Sequence, residues 1–270
     1  MTSSRRTVGI VSVALGGTML LGVGGAAAIA ATQAALRPAS TSHETLTAST
    51  SAISLLTVDS PSAQVTVQFG DVTDAVLEVR GDRANDWRMV TNGNELHVGK
   101  DAGWFRDGCF LLCFGLDRTE VTLTLPRALG AGQLDAEFDV ASGAFDASGS
   151  FRNVDFDLSS GTFTFAGAAA SLVGDISSGN AEVRTEHTGS LRFDLASGAL
   201  DAVVTGAAPR TTELDVSSGK VALTLPDAEY RYSQDVSSGK VTNELRTSPV
   251  ASSSVDLDLS SGKVMLTALR

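Results

Sequence analysis

The sequence predicts an all-β protein: a β-solenoid, or β-helix-like stack, of about seven or eight coils with an N-terminal β cap, preceded by one N-terminal apolar helix. Three observations carry that expectation. The five-residue string Asp-aliphatic-Ser/Ala-Ser-Gly occurs seven times, with its glycines 18, 18, 19, 21, 20 and 23 residues apart. Apolar residues alternate around each string, the period of a strand with one buried face. No segment after residue 37 shows a helical period.

Residues 1–37 read as an address. Arg5 and Arg6 precede an uncharged run of 24 residues, Val8 to Ala31. A bilayer core needs about 20. The arginines stay cytoplasmic, so the chain beyond faces outward. The run reads either as a retained transmembrane anchor, with membrane contact through residues 8–31, or as a cleaved signal peptide ending at Ala28-Ile29-Ala30. Ser4-Arg5-Arg6-Thr7-Val8 also resembles a twin-arginine export signal. Both routes deliver an extracytoplasmic protein. Residues 38–50, rich in Ser and Thr, then read as a spacer, with His43 isolated in it.

Residues 51–126 are less regular and read as the first coil plus a β cap. Val65–Phe69, Val76–Arg80 and Val121–Leu125 are strand-like. Thr91-Asn92-Gly93-Asn94 predicts a tight hairpin turn between Trp87–Val90 and Glu95–Val98. Thr57-Val58-Asp59-Ser60-Pro61-Ser62-Ala63 is a degraded eighth copy of the repeat.

Residues 127–270 are the repeat solenoid. Its corners are Asp139, Ser142 and Gly143; Asp157, Ser160 and Gly161; Asp175, Ser178 and Gly179; Asp194, Ser197 and Gly198; Asp215, Ser218 and Gly219; Asp235, Ser238 and Gly239; and Asp258, Ser261 and Gly262. Leu214 and Val216 share a phase that Val221, Leu223 and Leu225 break by one residue. A slip of one turns a core face outward unless a bend absorbs it. Ser-Ser-Gly is therefore a corner, with Gly supplying a backbone conformation that other residues resist. Second turns follow at Ser148-Gly149, Gly167, Thr188-Gly189, Thr205-Gly206, Pro226-Asp227 and Ser248-Pro249. The runner-up architecture is a β-sandwich of repeated hairpins.

Composition excludes several functions. Of 31 acids and 20 bases, all the acids but only 17 bases follow Arg37, so that part carries −14. Phosphate contact needs dense Lys and Arg, so no nucleic acid is expected as a partner. Three His and two Cys leave little for a metal cage or a His-based catalytic centre, and no cofactor is expected.

Stacked coils align the seven corner Asp into a line of carboxylates about 5 Å apart, which repel by roughly 1 kcal/mol per pair in water. Either each Asp accepts hydrogen bonds from backbone amides of its corner, or the line holds Ca²⁺. The Ser of each string, which never varies among the seven copies, reads as an inward ladder of hydroxyls. No base singles one of them out as a nucleophile. Lys220, Lys240 and Lys263 follow the last glycines and are expected to pair with acids on the outer face.

Trp104, Phe105, Phe110, Leu111, Leu112 and Phe114 crowd around Cys109 and Cys113, which can close a small disulfide loop outside the cytoplasm. This loop either plugs the solenoid end or forms an apolar contact for a partner.

An apolar N-terminal segment, a Thr/Ser spacer, Leu56-Thr57-Val58-Asp59, a cysteine pair before Val121-Thr122-Leu123-Thr124-Leu125-Pro126, and the Ser-Ser-Gly-x-Val repeats together resemble one bacterial family. It is the β-strand-repeat family of unknown function often labelled "putative adhesin". The resemblance covers roughly residues 45–270 and implies a solenoid-like envelope protein with no established catalytic residues.

Three functions compete. The first is a non-catalytic, adhesin-like binding or scaffold module at the cell envelope, whose partner is an envelope protein or a surface glycan. The second is an accessory or sensor protein of an envelope-stress system, docking through 104–114. The third is a polysaccharide-acting β-helix enzyme, supported by fold analogy alone.

Overall fold

The computed structural model describes residues 42–81, 84–100 and 119–269, all within one compact unit, Ala39–Arg270. The apolar segment 8–31 and the cysteine loop with all six of its apolar contact candidates lie outside the described residues. Among the described residues, no helix is long and apolar enough to cross a membrane.

The chain begins with β1 (Ser42–Ala48), β2 (Leu55–Ser60), β3 (Ala63–Gly70) and β4 (Ala75–Gly81). Next come β5 (Trp87–Asn92), β6 (Glu95–Lys100), β7 (Glu120–Pro126) and β8 (Asp135–Val140). Three long strands follow: β9 (Gly143–Leu158), β10 (Thr162–Glu186) and β11 (Ser190–Thr205). Short ones return with β12 (Thr211–Val216), β13 (Lys220–Leu225), β14 (Glu229–Val236), β15 (Lys240–Asn243) and β16 (Arg246–Thr247). The last are β17 (Ser253–Leu259) and β18 (Lys263–Ala268).

These strands build two walls. The aspartate wall runs β5-β6-β2-β8-β9-β10-β11-β12-β17-β14-β16. The second wall runs β1-β4-β7-β3-β9-β10-β11-β13-β18-β15. Strands β9, β10 and β11 bend and serve both. Coil-to-coil pairing is parallel throughout; only β1, β4 and β5, at one end, pair antiparallel. Parallel stacking rules out a sandwich of hairpins, whose neighbours run antiparallel.

The repeat sets the register. Asp59, Asp139, Asp157, Asp175, Asp194, Asp215, Asp258 and Asp235 stand in one line across the aspartate wall. A ninth layer, β6 with β7, continues the stack beyond Asp59 and carries Gly99 at the Asp position. The stack therefore has one layer more than the upper expectation of eight. β6 and β7 thus supply one strand to each wall in this layer, and the cap proper is β1, β4 and β5.

Both ends of the stack depart from chain order. The Asp59 coil lies between the later β6–β7 layer and the Asp139 coil. The last coil, β17–β18, lies between the Asp215 and Asp235 coils. Inward positions explain this second exchange. The last coil offers Leu257, Leu259, Val264 and Leu266, each at most 1% exposed. The Asp235 coil has Gln234 and Asn243 where those leucines 257 and 266 stand. Burying a polar side chain between two apolar layers costs free energy unless it is fully hydrogen-bonded. The coil with polar inward residues therefore takes the end.

The spacer expected over 38–50 is a strand for most of its length. β1 pairs with β4, with Ser42, Glu44, Leu46 and Ala48 half-buried and the residues between them exposed. The alternation in Glu-Thr-Leu-Thr-Ala suits a half-covered edge, and the Ser/Thr composition obscured it. The hairpin turn falls as expected: Asn92 pairs with Glu95 around Gly93 and Asn94, and Gly93 has φ of 65°.

Phenylalanines fill the middle of the core. Phe156 and Phe163, one from each wall, stack with centroids 4.1 Å apart. Phe138 and Phe145 also meet from the two walls, tilted by 44° with centroids 4.9 Å apart. Gly174 lies in line with Phe156 and Phe193, and a Cβ there would sit 2.3 Å from the Phe156 ring. The missing side chain makes room for both rings.

Candidate functional site

The corners place the candidate residues. After each Asp the chain turns through Ser-Ser-Gly and enters the second wall. Gly161 shows why glycine is needed: its φ is 98°, and a Cβ would stand 2.2 Å from the carbonyl oxygen of Gly143 one layer down. The conformation disfavours L side chains, and the neighbouring backbone leaves no space for one.

Two amides of a corner, the first and the one after the glycine, are satisfied by the adjacent layer, not by Asp. Ala141 N donates to Ser60 O (3.0 Å), Ser159 N to Val140 O (2.9 Å) and Ser260 N to Val216 O (2.9 Å). The amide after the glycine does the same, as Lys263 N donates to Gly219 O at 2.9 Å. The first amide of the corner and the one after its glycine are thus already engaged, and among the described residues no corner amide donates to these carboxylates. The carboxylates stay on the outer face, exposed except for Asp59 and Asp194, which are half-buried.

The serine column also faces outward. Ser160, Ser178, Ser197, Ser218, Ser238 and Ser261 are exposed, and half-buried Ser142 donates to Pro61 O at 2.9 Å. The inward ladder fails because the strand alternation stops at the corner. The inward set resumes only at the second residue after Gly, as at Val221.

Lys220, Lys263 and Lys240 stand in adjacent register positions of the second wall. None takes part in an ion pair among the described residues. Asp201, the acid nearest in register, is engaged by Arg184 at 2.9 Å. Pairing with acids was the expectation; the lysines instead stack on one another.

The aspartate wall is densely charged. Beside the Asp line runs a second row with Glu137, Asp155, Arg192, Glu213 and Asp256. Burial and the adjacent Asp59 carboxyl push the Asp139 carboxyl above the usual range. Burial also raises Asp155, helped by the charges of Asp139, Asp157 and Asp175. Relief is local. Arg192 pairs with Glu213 at 2.8 Å, and His97 Nε2 lies 3.5 Å from Asp59 Oδ2. Arg152 pairs with Asp135 and holds that carboxyl below its ordinary value.

His97 stands in no repeat and the sequence alone gives it no partner. Its place at the end of the Asp line was foreseeable only by knowing that β6 stacks on β2. A shallow groove of about 230 Å³ lies between Arg192, Asp194, Glu213, Asp215, Asp256 and Asp258. Among the described residues, no group of three His, Cys, Asp or Glu side chains converges to hold a metal ion. His187 has φ of 56° and sits at a turn, away from the serine column.

Nine parallel layers with an in-register acidic line define a β-strand-repeat solenoid. The chain belongs to the Toastrack DUF4097 family, whose model matches residues 53–269. No curated protein matches it. Among solved structures, it is similar to a protein of Bacteroides fragilis described as a "putative adhesin", at 11% identity and a TM-score of 0.43, covering 83% of this chain and 97% of that one. A "putative cell adhesion protein" of Clostridium sporogenes is 9% identical with a TM-score of 0.33, covering 85% and 100%. A "Putative lipid binding protein" of Parabacteroides distasonis is 12% identical with a TM-score of 0.34, covering 84% and 97%. At these scores the likenesses say nothing of what this chain binds.

Proposed function

We propose that this protein is a non-catalytic binding or scaffold module of the cell envelope, exported by residues 1–37 as a retained anchor or a cleaved signal peptide. Its repeated outer surface engages an envelope protein or a surface glycan. One observation carries the reading: eight carboxylates stand in one register line on the outside of one wall. Each pair repels, and the fold does not use these groups to cap its own corners. A line of identical groups suits a partner contacted many times weakly, because linked contacts multiply. An enzyme instead needs one layer to differ, with an acid and a base converging on a pocket. The grooves on this wall are shallow and lined by repeat positions.

The test is capture from intact envelopes by the full chain, compared with the Asp157→Asn, Asp175→Asn, Asp194→Asn triple variant. Loss of capture by a folded variant is expected. Undiminished capture, or turnover of a glycan by the parent chain, would overturn the reading. Protection of the domain from protease in intact cells would sink the extracytoplasmic placement.

A further inference from the structure

The second wall carries a larger groove than the one between the aspartates. It measures about 480 Å³, against about 230 Å³, and lies on the outer face across β10, β11 and β13. Thr162, Thr164, Asn180, Glu182, Asp201 and Lys220 line it from outward positions of their strands. The hydroxyls of Thr162 and Thr164 and the amide of Asn180 make no side-chain hydrogen bond among the described residues. Glu182 and Asp201 are both held by Arg184, at 3.1 and 2.9 Å.

At one end the groove runs into the lysine ladder. Thr162, Asn180, Ala199, Lys220, Lys263 and Lys240 follow one another at equivalent register positions. At about 4.8 Å per layer, this row spans about 24 Å. The outward residues on either side of each lysine are Ser218 and Ala222, Ser261 and Met265, and Ser238 and Thr242, none of them charged. The acids that precede the three lysines, Asp215, Asp258 and Asp235, stand beyond the corner on the aspartate wall. Three exposed ammoniums therefore lie side by side with no carboxylate paired to them among the described residues.

We infer that groove and ladder form one binding site for an acidic oligosaccharide, with ring hydroxyls along Thr162, Asn180 and Ala199 and anionic groups at Lys220, Lys263 and Lys240. Both halves specify the ligand. An ammonium is a compact charge with donors only, so the ladder calls for carboxylate or phosphate. The Glu182 and Asp201 carboxylates accept hydrogen bonds only, so the groove calls for donors and disfavours a chain that is anionic at every unit. Thr162, Thr164 and Asn180 both donate and accept, which matches hydroxyl groups.

The spacing also fits. One layer advances about 4.8 Å, close to the length of one pyranose, so an extended glycan lying across the strands presents about one sugar to each layer. The choice of a glycan rests on the envelope reading above, but the site lies on the other wall and uses no residue of the aspartate line.

The test is calorimetric titration of the full chain in mild detergent, with circular dichroism as a check on folding. The probes are a hyaluronate hexasaccharide, a phosphorylated mannohexaose, neutral cellohexaose and hexaglutamate. One or both acidic hexasaccharides should bind, and the tighter one names the anion. Cellohexaose, without the charge, and hexaglutamate, without the hydroxyls, should each bind about tenfold more weakly or worse. The Lys220→Gln, Lys240→Gln, Lys263→Gln triple variant should lose about tenfold or more in affinity for the acidic sugar. Ala199→Tyr fills the groove without changing charge and should lose as much. Asn180→Ala, at an exposed position, should lose about threefold or more and keeps the groove testable if Ala199→Tyr misfolds. No binding of either acidic hexasaccharide, equal binding of hexaglutamate, or unchanged affinity in the folded lysine variant would overturn the inference. These variants leave the aspartate line intact, so such a failure would leave capture by that line, and with it the envelope reading, standing.

Discussion

Gly174 and the aspartates illustrate how single positions are constrained by their neighbours in the stack. At Gly174, a methyl group would press on the Phe156 and Phe193 rings at 2.3 and 2.9 Å. Overpacking a filled core costs about 1–3 kcal/mol. Gly174→Ala should lower stability by that amount in urea unfolding, even though Ala suits a strand better than Gly does. Asp139 and Asp155 behave oppositely. Their carboxyls are raised in the fold, so the protonated forms are favoured there. The stability that this contributes is complete below the unfolded value of about 3.9 and is lost as pH rises through the folded value. Asp139→Asn and Asp155→Asn should therefore raise the melting temperature at pH 7 and have no such effect near pH 3. Equal shifts at both pH values would show that charge is not the cause. Tyr230 is a third case. Burial pushes its phenol up to about 12, and the hydroxyl donates to Pro226 O at 2.9 Å.

At the scale of the element, one coil is interchangeable with another only in its outward residues. The Asp, Ser and Gly positions repeat, while the inward positions assign each coil its depth. Leu257 is buried at 1% exposure, and Gln234 beside it in register is exposed. Leu257→Ala should cost about 2–5 kcal/mol. Gln234→Ala should stay within about 0.5 kcal/mol, because Gln234 is exposed and its side chain accepts only a surface hydrogen bond from Tyr232 among the described residues. Similar losses at the two positions would mean that the Asp235 coil is not terminal.

At the scale of the molecule, the inserted β17–β18 coil makes Ser253–Ala268 part of the interior of the stack. Deleting residues 251–270 removes a layer with a neighbour on each side, and opens the edges of β12 and β14 together. Open edges invite association. The truncated protein should aggregate or lose its cooperative transition, measured by light scattering and thermal melting. A soluble, cooperative truncation would show that the Asp235 coil can close directly onto the Asp215 coil.

The strands, the corners and the register were legible in the amino-acid sequence because they repeat. Alternation around Asp215 predicts the wall, the one-residue slip predicts the bend, and seven equal strings predict the in-register line that the parallel pairing displays. Three features depended on contacts between layers. The order of layers rests on which coil can bury its inward residues, and Gln234 and Asn243 are its trace in the sequence once read as inward positions. The outward turn of Ser142 and its equivalents, and the freedom of the Asp carboxylates, follow from amides paired with the layer below, which no single repeat reveals. The strand at Ser42–Ala48 exists because β4 offers it an edge. A sequence periodicity dictates the local path of the chain, whereas the identity of each neighbour is settled by burial, which only the assembled stack decides.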